Sequence, residues 1–341
     1  MSNKFLSICI PSYNRPDTIS RLLNSIDTRY KDQIEVVICE DKSPKRDDIR
    51  TAVEIYSRKS PYEIHYFENK TNLGFDLNWI ELSKKATGEY LLYMGDDDGF
   101  IPGALDQYID WLHSHEKYCY ILRSYVRVYD KDRSNVQYFR YYSGDRFFEH
   151  GIDGYKEFFL KSVSMSGYTI KRTCALEFSN QKILEGNTLL FQLYLVAEVC
   201  LKYPSAYCNT PCAELISDQP QLFGNSKEEK GVYTPGEGVS GNLNFINSFF
   251  RISEYIDNKY SLKLTPYFKE QLSKYSFYIL HGQRKKGKKE LRMMKEQLVI
   301  IGLGDTLPFK IYYWALMILG PSICVKAVRR LKKIIGHRPS L

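Results

Sequence analysis

Three adjacent carboxylates, Asp96, Asp97 and Asp98, follow the run Tyr90-Leu-Leu-Tyr-Met94 and a single glycine, Gly95. Crowded like charges repel and disfavour ionisation of one another. A divalent cation relieves that repulsion. Mg²⁺ takes oxygen ligands and is commonly held by one or two carboxylates plus substrate phosphates. Asp96 and Asp98, spaced i and i+2, supply such a pair. The same residues also read as an acidic turn capping a helix after Gly99. Two further polar clusters punctuate the first hundred residues: Ser12 to Arg15 and Glu40 to Ser43.

The elements that would position these clusters alternate. Phe5 to Ile10, Ile34 to Cys39, Glu63 to Phe67 and Tyr90 to Met94 are short, β-rich apolar runs. Short continuous runs of this kind are consistent with buried strands. Helical segments are expected between them, from about Pro16 to Ile26 with Asn14 as cap, Asp47 to Arg58, and Phe75 to Ala86. Strands alternating with helices imply an α/β fold with parallel pairing. Ligands in such sheets sit beyond the carboxyl ends of the strands. All three polar clusters fall at those ends. Tyr118 to Tyr129 (YCYILRSYVRVY) reads as one further long strand. Residues 130–155 read as an acceptor lid or a surface hairpin, and Gly167 to Arg172 as a strand before an apolar helix.

A chain of 341 residues accommodates one large domain with an appendage, or two domains. The net charge of +8 is uneven: residues 281–341 hold 14 Lys and Arg against 3 Asp and Glu, so the rest is slightly acidic. Such asymmetry points to a nucleic-acid or anionic-membrane contact for the tail. The eight cysteines lack the spacing of a zinc site, and the first residues do not read as a basic segment followed by an apolar signal core. The expectation is free thiols in a reducing cytosol. Tyrosine is abundant at 28 residues, and its flat apolar face with a polar tip suits sugars or membrane interfaces.

The ordered set Pro11-Ser-Tyr-Asn-Arg15, Glu40-Asp41-Lys-Ser43, Asn72-Leu-Gly-Phe75, Gly88-Glu-Tyr90 and Asp96-Asp-Asp98 resembles the family 2 glycosyltransferases over roughly residues 4–110. The resemblance implies a GT-A fold, a Rossmann-like mixed sheet flanked by helices. It also implies a nucleotide-sugar donor, with UDP as the expected nucleotide, a divalent metal (Mn²⁺ or Mg²⁺), and inversion at the anomeric carbon. Under it, Asp41 reads the base or ribose, while Pro11, Tyr13 and Arg15 line the nucleotide pocket together with Asn72. Asp96 and Asp98 form the DxD element, with Asp98 as the direct metal ligand and Asp96 beside the donor. Asp97 and Glu185 are the candidate catalytic carboxylates.

Inversion in one displacement needs a general base opposite the leaving group. Many relatives carry an acidic pair at the start of a helix about ninety residues beyond the DxD. Here Lys182-Ile-Leu-Glu185-Gly-Asn-Thr-Leu-Leu-Phe-Gln192 has no pair, which leaves Glu185 first, then Glu198 and Asp218. The glycine-then-apolar-helix pattern resembles a subgroup that acts on polysaccharide or O-antigen units, which favours a lipid-linked oligosaccharide acceptor.

The domain reading is a catalytic domain over 1–216, a loop or linker over 217–242, and a helical region over 243–341. In the last of these, Ile311 to Val325 is a 15-residue apolar stretch broken by Gly320-Pro321 and followed by Lys326, Arg329, Arg330, Lys332 and Lys333. A spanning helix needs about 20 residues. The stretch reads as an interfacial segment on an anionic membrane, placing the protein peripherally on the inner face of the cell membrane, or as a buried terminal helix. Two other functions compete. A phosphoryl-transfer enzyme with a strand-end Asp-x-Asp would carry it on the first strand with Thr close behind, whereas here the fourth strand carries it and Gly99-Phe-Ile follows. A nucleic-acid binder would use the tail and leave the strand-end clusters unexplained, so no nucleic-acid partner is expected.

Overall fold

The structure is a computed structural model that describes residues 4–129, 133–179, 188–217, 222, 226–227, 229–233 and 243–335. Its contacts divide the chain into two compact units, Met1–Lys230 and Gly231–Leu341.

The first unit starts as a βα alternation: β1 (Leu6–Ser12), α1 (Pro16–Asn24), β2 (Ile34–Glu40), α2 (Arg46–Ser57), β3 (Glu63–Glu68), α3 (Phe75–Lys85) and β4 (Tyr90–Tyr93). β1, β2 and β4 are buried almost throughout, which is why their sequences read as continuous apolar runs rather than alternating ones. Each Ile, Leu or Val removed from water there contributes about 1.5–3 kcal/mol. β3 is the partly exposed edge.

Further along lie β5 (Gly99–Phe100), α4 (Ala104–Ser114), β6 (Tyr120–Arg123), β7 (Tyr125–Val128), β8 (Val136–Phe139) and β9 (Arg146–Phe148). They are followed by α5 (Ile152–Phe158), β10 (Tyr168–Lys171), α6 (Arg172–Glu177), α7 (Phe191–Lys202), β11 (Ser205–Cys208) and β12 (Ala213–Ile216). The larger sheet has the order β3-β2-β1-β4-β10-β6-β11-β9. β1 is parallel to β2 and β4 and β2 is parallel to β3, but β10 runs antiparallel to β4 and β6. The sheet is therefore mixed. A smaller sheet has the order β5-β12-β7-β8.

Three local expectations are corrected. Tyr118 to Tyr129 is not one strand: it breaks at Ser124 into β6 and β7, which belong to different sheets. There the Ser124 N–H donates to Cys208 O at 3.0 Å and its hydroxyl to Asn209 O at 2.8 Å. Asn14 does not cap α1; it lies in the left-handed region at φ 62°, and Arg15 occupies the capping position. Asn tolerates that region because its side chain is short and polar. The acidic turn does not lead straight into a helix either, since β5 comes before α4. All eight cysteines are free and buried.

The second unit is helical, with helices Leu243–Tyr260, Thr265–Ser273, Ser276–Lys286, Lys288–Ile300, Leu307–Leu319 and Pro321–Ile335. Asp257 accepts the N–H groups of Leu264 and Thr265, fixing the start of the second of these. Gly320, at φ 80°, separates the last two, and Pro321 opens the final helix. Among the described residues no helix is long and apolar enough to cross a membrane.

Candidate active site

The carboxyl ends of β1, β2 and β4 lie side by side, and the chain ties them together. The Asp41 N–H donates to Ser12 O at 3.0 Å, and the Met94 N–H to Cys9 O at 2.9 Å. Beyond β4 the three carboxylates are shared out to different neighbours. Asp96 accepts from the Tyr13 N–H at 3.0 Å and from Arg15 at 3.1 Å. Arg15 also pairs with Asp97 at 2.8 Å, and Arg21 donates to the Asp97 carbonyl. Asp98 turns the other way: it accepts the Ser166 hydroxyl and, at 2.8 Å, the Ile216 N–H of β12. Gly95 is needed for this crowding, because a Cβ there would stand 3.0 Å from Asp97 Oδ1 and 3.2 Å from Ser166 Oγ.

Burial pushes the Asp96 carboxyl up to about 6, with Arg15 pulling it back and Asp97 pushing it further. Burial, then the charge of Asp97, raises Asp98 to about 7 against the opposing pull of Ser166 and Ile216. Both are carboxylates that gain from added positive charge.

Ser166 is itself held in place. Its hydroxyl accepts the Gly95 N–H at 2.9 Å, and its carbonyl accepts Arg123 Nε at 2.8 Å. Arg123 ends β6, is fully buried, and also donates to Ser164 O at 3.2 Å. Gly167, at φ 82°, gives it room: a Cβ there would meet Arg123 Nε at 2.7 Å. Sequence reasoning did not find Ser166 or Arg123. Their only local signal is the glycine that follows Ser166.

At the β2 end, the Asp41 carboxylate accepts from Asn69 and from the Leu73 N–H, both at 2.8 Å, and from the Gly74 N–H at 2.9 Å. Asn72 closes the loop by donating to Asp41 O at 2.8 Å. Burial raises the Asp41 carboxyl, and these donors oppose the rise. A carboxylate offers about four lone-pair sites, so most of Asp41 is spent on shaping the 69–74 loop. Glu40 does the same on its own side, accepting from Lys42, Ser43 and Arg46. The buried atoms Ser12 Oγ, Asn14 Oδ1 and Ser43 Oγ have no partner among the described residues. Orphaned polar atoms at a strand-end edge fit a polar ligand.

The loop after Asn72 leads into α3, whose Asp76 is fully buried and reaches α7. It accepts the Thr188 N–H at 2.9 Å, the Thr188 hydroxyl at 2.8 Å, the Leu189 N–H at 3.0 Å and the Phe191 N–H at 3.1 Å. Asp76 is thus a capping anion supplied to α7 from 112 or more residues away. Of the candidate bases, Glu198 is fully buried within α7. Burial removes it from reach of an acceptor hydroxyl. Glu185 and Asp218 lie outside the described residues. Glu229 Oε1 accepts the Phe75 N–H at 3.2 Å at the start of α3.

Among the described residues no three His, Cys, Asp or Glu side chains form a ready cation cage. The donor chemistry nevertheless fits a hard divalent ion. Asp96 and Asp98 offer carboxylate oxygens with lone pairs to spare, and Mg²⁺ commonly completes its shell with substrate phosphates and water. Asp96 and Asp98 would hold it.

Residues 7–170 match the family model described as glycosyl transferase family 2. Abequosyltransferase RfbV of Salmonella typhimurium is 31% identical over 100 residues, covering 29% of this chain and 30% of that protein. The GalNAc(5)-diNAcBac-PP-undecaprenol beta-1,3-glucosyltransferase of Campylobacter jejuni is 29% identical over 101 residues, 29% of this chain and 32% of that one. The chain therefore matches about a third of the length of these curated relatives. Among solved structures, S. aureus TarS 1-349 in complex with UDP-GlcNAc aligns with a TM-score of 0.51 at 14% identity, over 91% of each chain. The mannosyltransferase PcManGT from Pyrobaculum calidifontis, in complex with GDP-Man and Mn²⁺, aligns with a TM-score of 0.53 at 13% identity, over 96% of this chain and 83% of that one. At such identities the likeness is one of fold, and that fold is GT-A. The family match spans the strand-end clusters from Pro11 to Asp98, so it is to glycosyl transferase family 2 that this part of the chain is similar.

Proposed function

We propose that this protein is an inverting, metal-dependent glycosyltransferase. It moves a sugar from a nucleotide-sugar donor, with UDP as the nucleotide, to a lipid-linked glycan in cell-surface polysaccharide synthesis. The observation that carries the reading is the meeting of three polar clusters at the ends of β1, β2 and β4, inside the segment that matches the family. The orphaned Ser12, Asn14 and Ser43 atoms beside the Asp41 loop support a nucleotide there. The undecaprenol-linked name of one relative, and the nucleotide sugars bound by both fold neighbours, support the acceptor and donor classes.

In this reading the nucleotide lies along the β1 and β2 ends, among Pro11, Tyr13, Arg15 and Asn72 and on the loop that Asp41 shapes. Asp96 and Asp98 face the diphosphate. A bound divalent ion there would neutralise charge developing on the leaving diphosphate. Asp97, held by Arg15, adds negative charge near an oxocarbenium-like transition state. Glu185, just before the segment that Asp76 anchors, takes the proton from the acceptor hydroxyl. The basic tail keeps the enzyme on the inner face of an anionic membrane.

The test is a donor panel with Mn²⁺, detecting released nucleoside diphosphate, followed by assignment of the anomeric configuration of the product. Release from no nucleotide sugar, with or without a lipid-linked acceptor, would overturn the reading. Glu185→Gln should keep donor binding and lose about 10²-fold or more in turnover, the scale of general-base catalysis. An unchanged rate would take the role from Glu185.

A further inference from the structure

The helix Leu307–Leu319 is apolar on more than one side, and only one side is packed. Phe309, Tyr313 and Leu316 are buried, and Arg284 Nε donates to Leu316 O at 3.1 Å from the neighbouring helix. Leu307, Ile311, Trp314 and Ile318 recur at i, i+4, i+7 and i+11 and are 70%, 55%, 55% and 75% exposed. At 3.6 residues per turn these four fall on one narrow stripe. Beyond the Gly320 break, the final helix exposes Ile323, Lys326 and Arg330 at i, i+3 and i+7. The exposed apolar stripe of one helix is therefore followed, on the next, by an exposed face carrying Ile323 and two cations.

We infer that this stripe is an interfacial anchor, with Leu307, Ile311, Trp314 and Ile318 lying in the outer acyl region of an anionic bilayer and Lys326 and Arg330 on its headgroups. The inference rests on the membrane station proposed above and is independent of the transfer chemistry. Charge selects the occupant. Between Gln297 and Ile335 the sequence has six Lys or Arg and a single acid, Asp305. A second copy docking through the same face would set these cations against one another, whereas anionic headgroups complement them. The helix has 13 residues and ends at Gly320, too short to span but suited to lie in the interface plane. Trp314 at the middle of the stripe matches the preference of indole for the headgroup level.

The experiment uses the full chain with vesicles of phosphatidylcholine alone or mixed with phosphatidylglycerol. The wild type should sediment with the mixed vesicles, and acyl-brominated lipid should quench its tryptophan emission. Trp314→Phe should lose that quenching while still binding, since the other two tryptophans belong to the first unit, where Trp79 is buried and Trp111 is half-buried with its indole N–H on Asp145. Ile311→Glu with Ile318→Glu should weaken binding at least about tenfold. Lys326→Glu with Arg330→Glu should abolish the preference for phosphatidylglycerol and the sensitivity to salt. Both pairs change exposed side chains and should leave the circular dichroism unaltered. Quenching that persists in Trp314→Phe would overturn the inference, as would wild-type binding by the Glu pair. A wild-type dimer that the Glu pair converts to monomer, without vesicle binding by either, would make the stripe a contact between copies instead. Donor hydrolysis should be the same in all variants, so a failed anchor and a failed catalytic reading are distinguishable.

Discussion

Replacing Asp76 tests how α7 is held. Its carboxylate accepts four hydrogen bonds, three of them from backbone N–H groups of Thr188, Leu189 and Phe191. Asp76→Ala leaves those three donors buried without an acceptor. Each unmet buried donor costs about 1–3 kcal/mol, but water entering the space left by the side chain recovers part of it. The loss expected is about 3–5 kcal/mol, the range for breaking a buried charged network. That is a large share of the roughly 5–15 kcal/mol that holds a domain folded. A second cost is already stored there: Leu189 sits at φ 56°, in the left-handed region. A non-glycine residue there costs about 1–3 kcal/mol and persists only when its surroundings hold it. Without the carboxylate, Leu189 relaxes and the start of α7 frays.

Asp76→Asn separates charge from shape. Its one carbonyl oxygen can keep Thr188 and Leu189, while its amide then faces the Phe191 N–H, donor against donor. The expected order of stability is wild type, then Asn, then Ala, read by urea unfolding. Hydrogen exchange at the Thr188, Leu189 and Phe191 amides should speed up most in Asp76→Ala. Amides that exchange no faster in that variant would refute the argument, because the loss would then not be local to α7.

Asp98→Asn keeps an acceptor for the Ile216 N–H but removes the charge; it should stay folded and lose at least about a hundredfold in nucleoside diphosphate release. Full activity of the variant in chelator would dismiss the metal assignment. Gly167→Ala sets a Cβ 2.7 Å from Arg123 Nε at a backbone φ of 82°. It should lower stability by about 1–3 kcal/mol in urea unfolding; an unchanged midpoint would mean that Arg123 is not confined as described.

The parallel half of the sheet was legible because its strands are short apolar runs, each ended by Pro, Gly or a carboxylate. The break at Ser124 was not. YCYILRSYVRVY stays apolar and β-prone across it, and only the distant Cys208 and Asn209 carbonyls divide β6 from β7. The acidic turn announced itself by composition, and the strand-end rule placed it beside Ser12 to Arg15 and Glu40 to Ser43. Ser166, Arg123 and Asp76 gave no such signal. Their partners lie 68, 43 and 112 residues away in sequence. A single Ser, Arg or Asp in an apolar neighbourhood has no periodicity that names its partner. Asp41 shows the converse: the family pattern marked it for the nucleotide, and the folded chain spends it largely on the loop of Asn69 to Gly74.

The division of labour within the acidic turn bears on which carboxylate faces a cation. Asp96 and Asp97 share Arg15, so a full positive charge already stands within 3.1 Å of both. Asp98 is served by neutral donors, the Ser166 hydroxyl and the Ile216 N–H. A neutral donor orients a carboxylate without cancelling its charge, whereas a guanidinium does both. Asp98 is therefore the member of the triad whose charge is least compensated by the protein's own groups. It is also held by elements far apart in the chain, the 163–167 segment through Ser166 and β12 through Ile216. A carboxylate fixed in place and short of positive charge is arranged to gain most from a divalent ion. Under the proposed function, Asp98 is the carboxylate on which such an ion is expected to act most strongly.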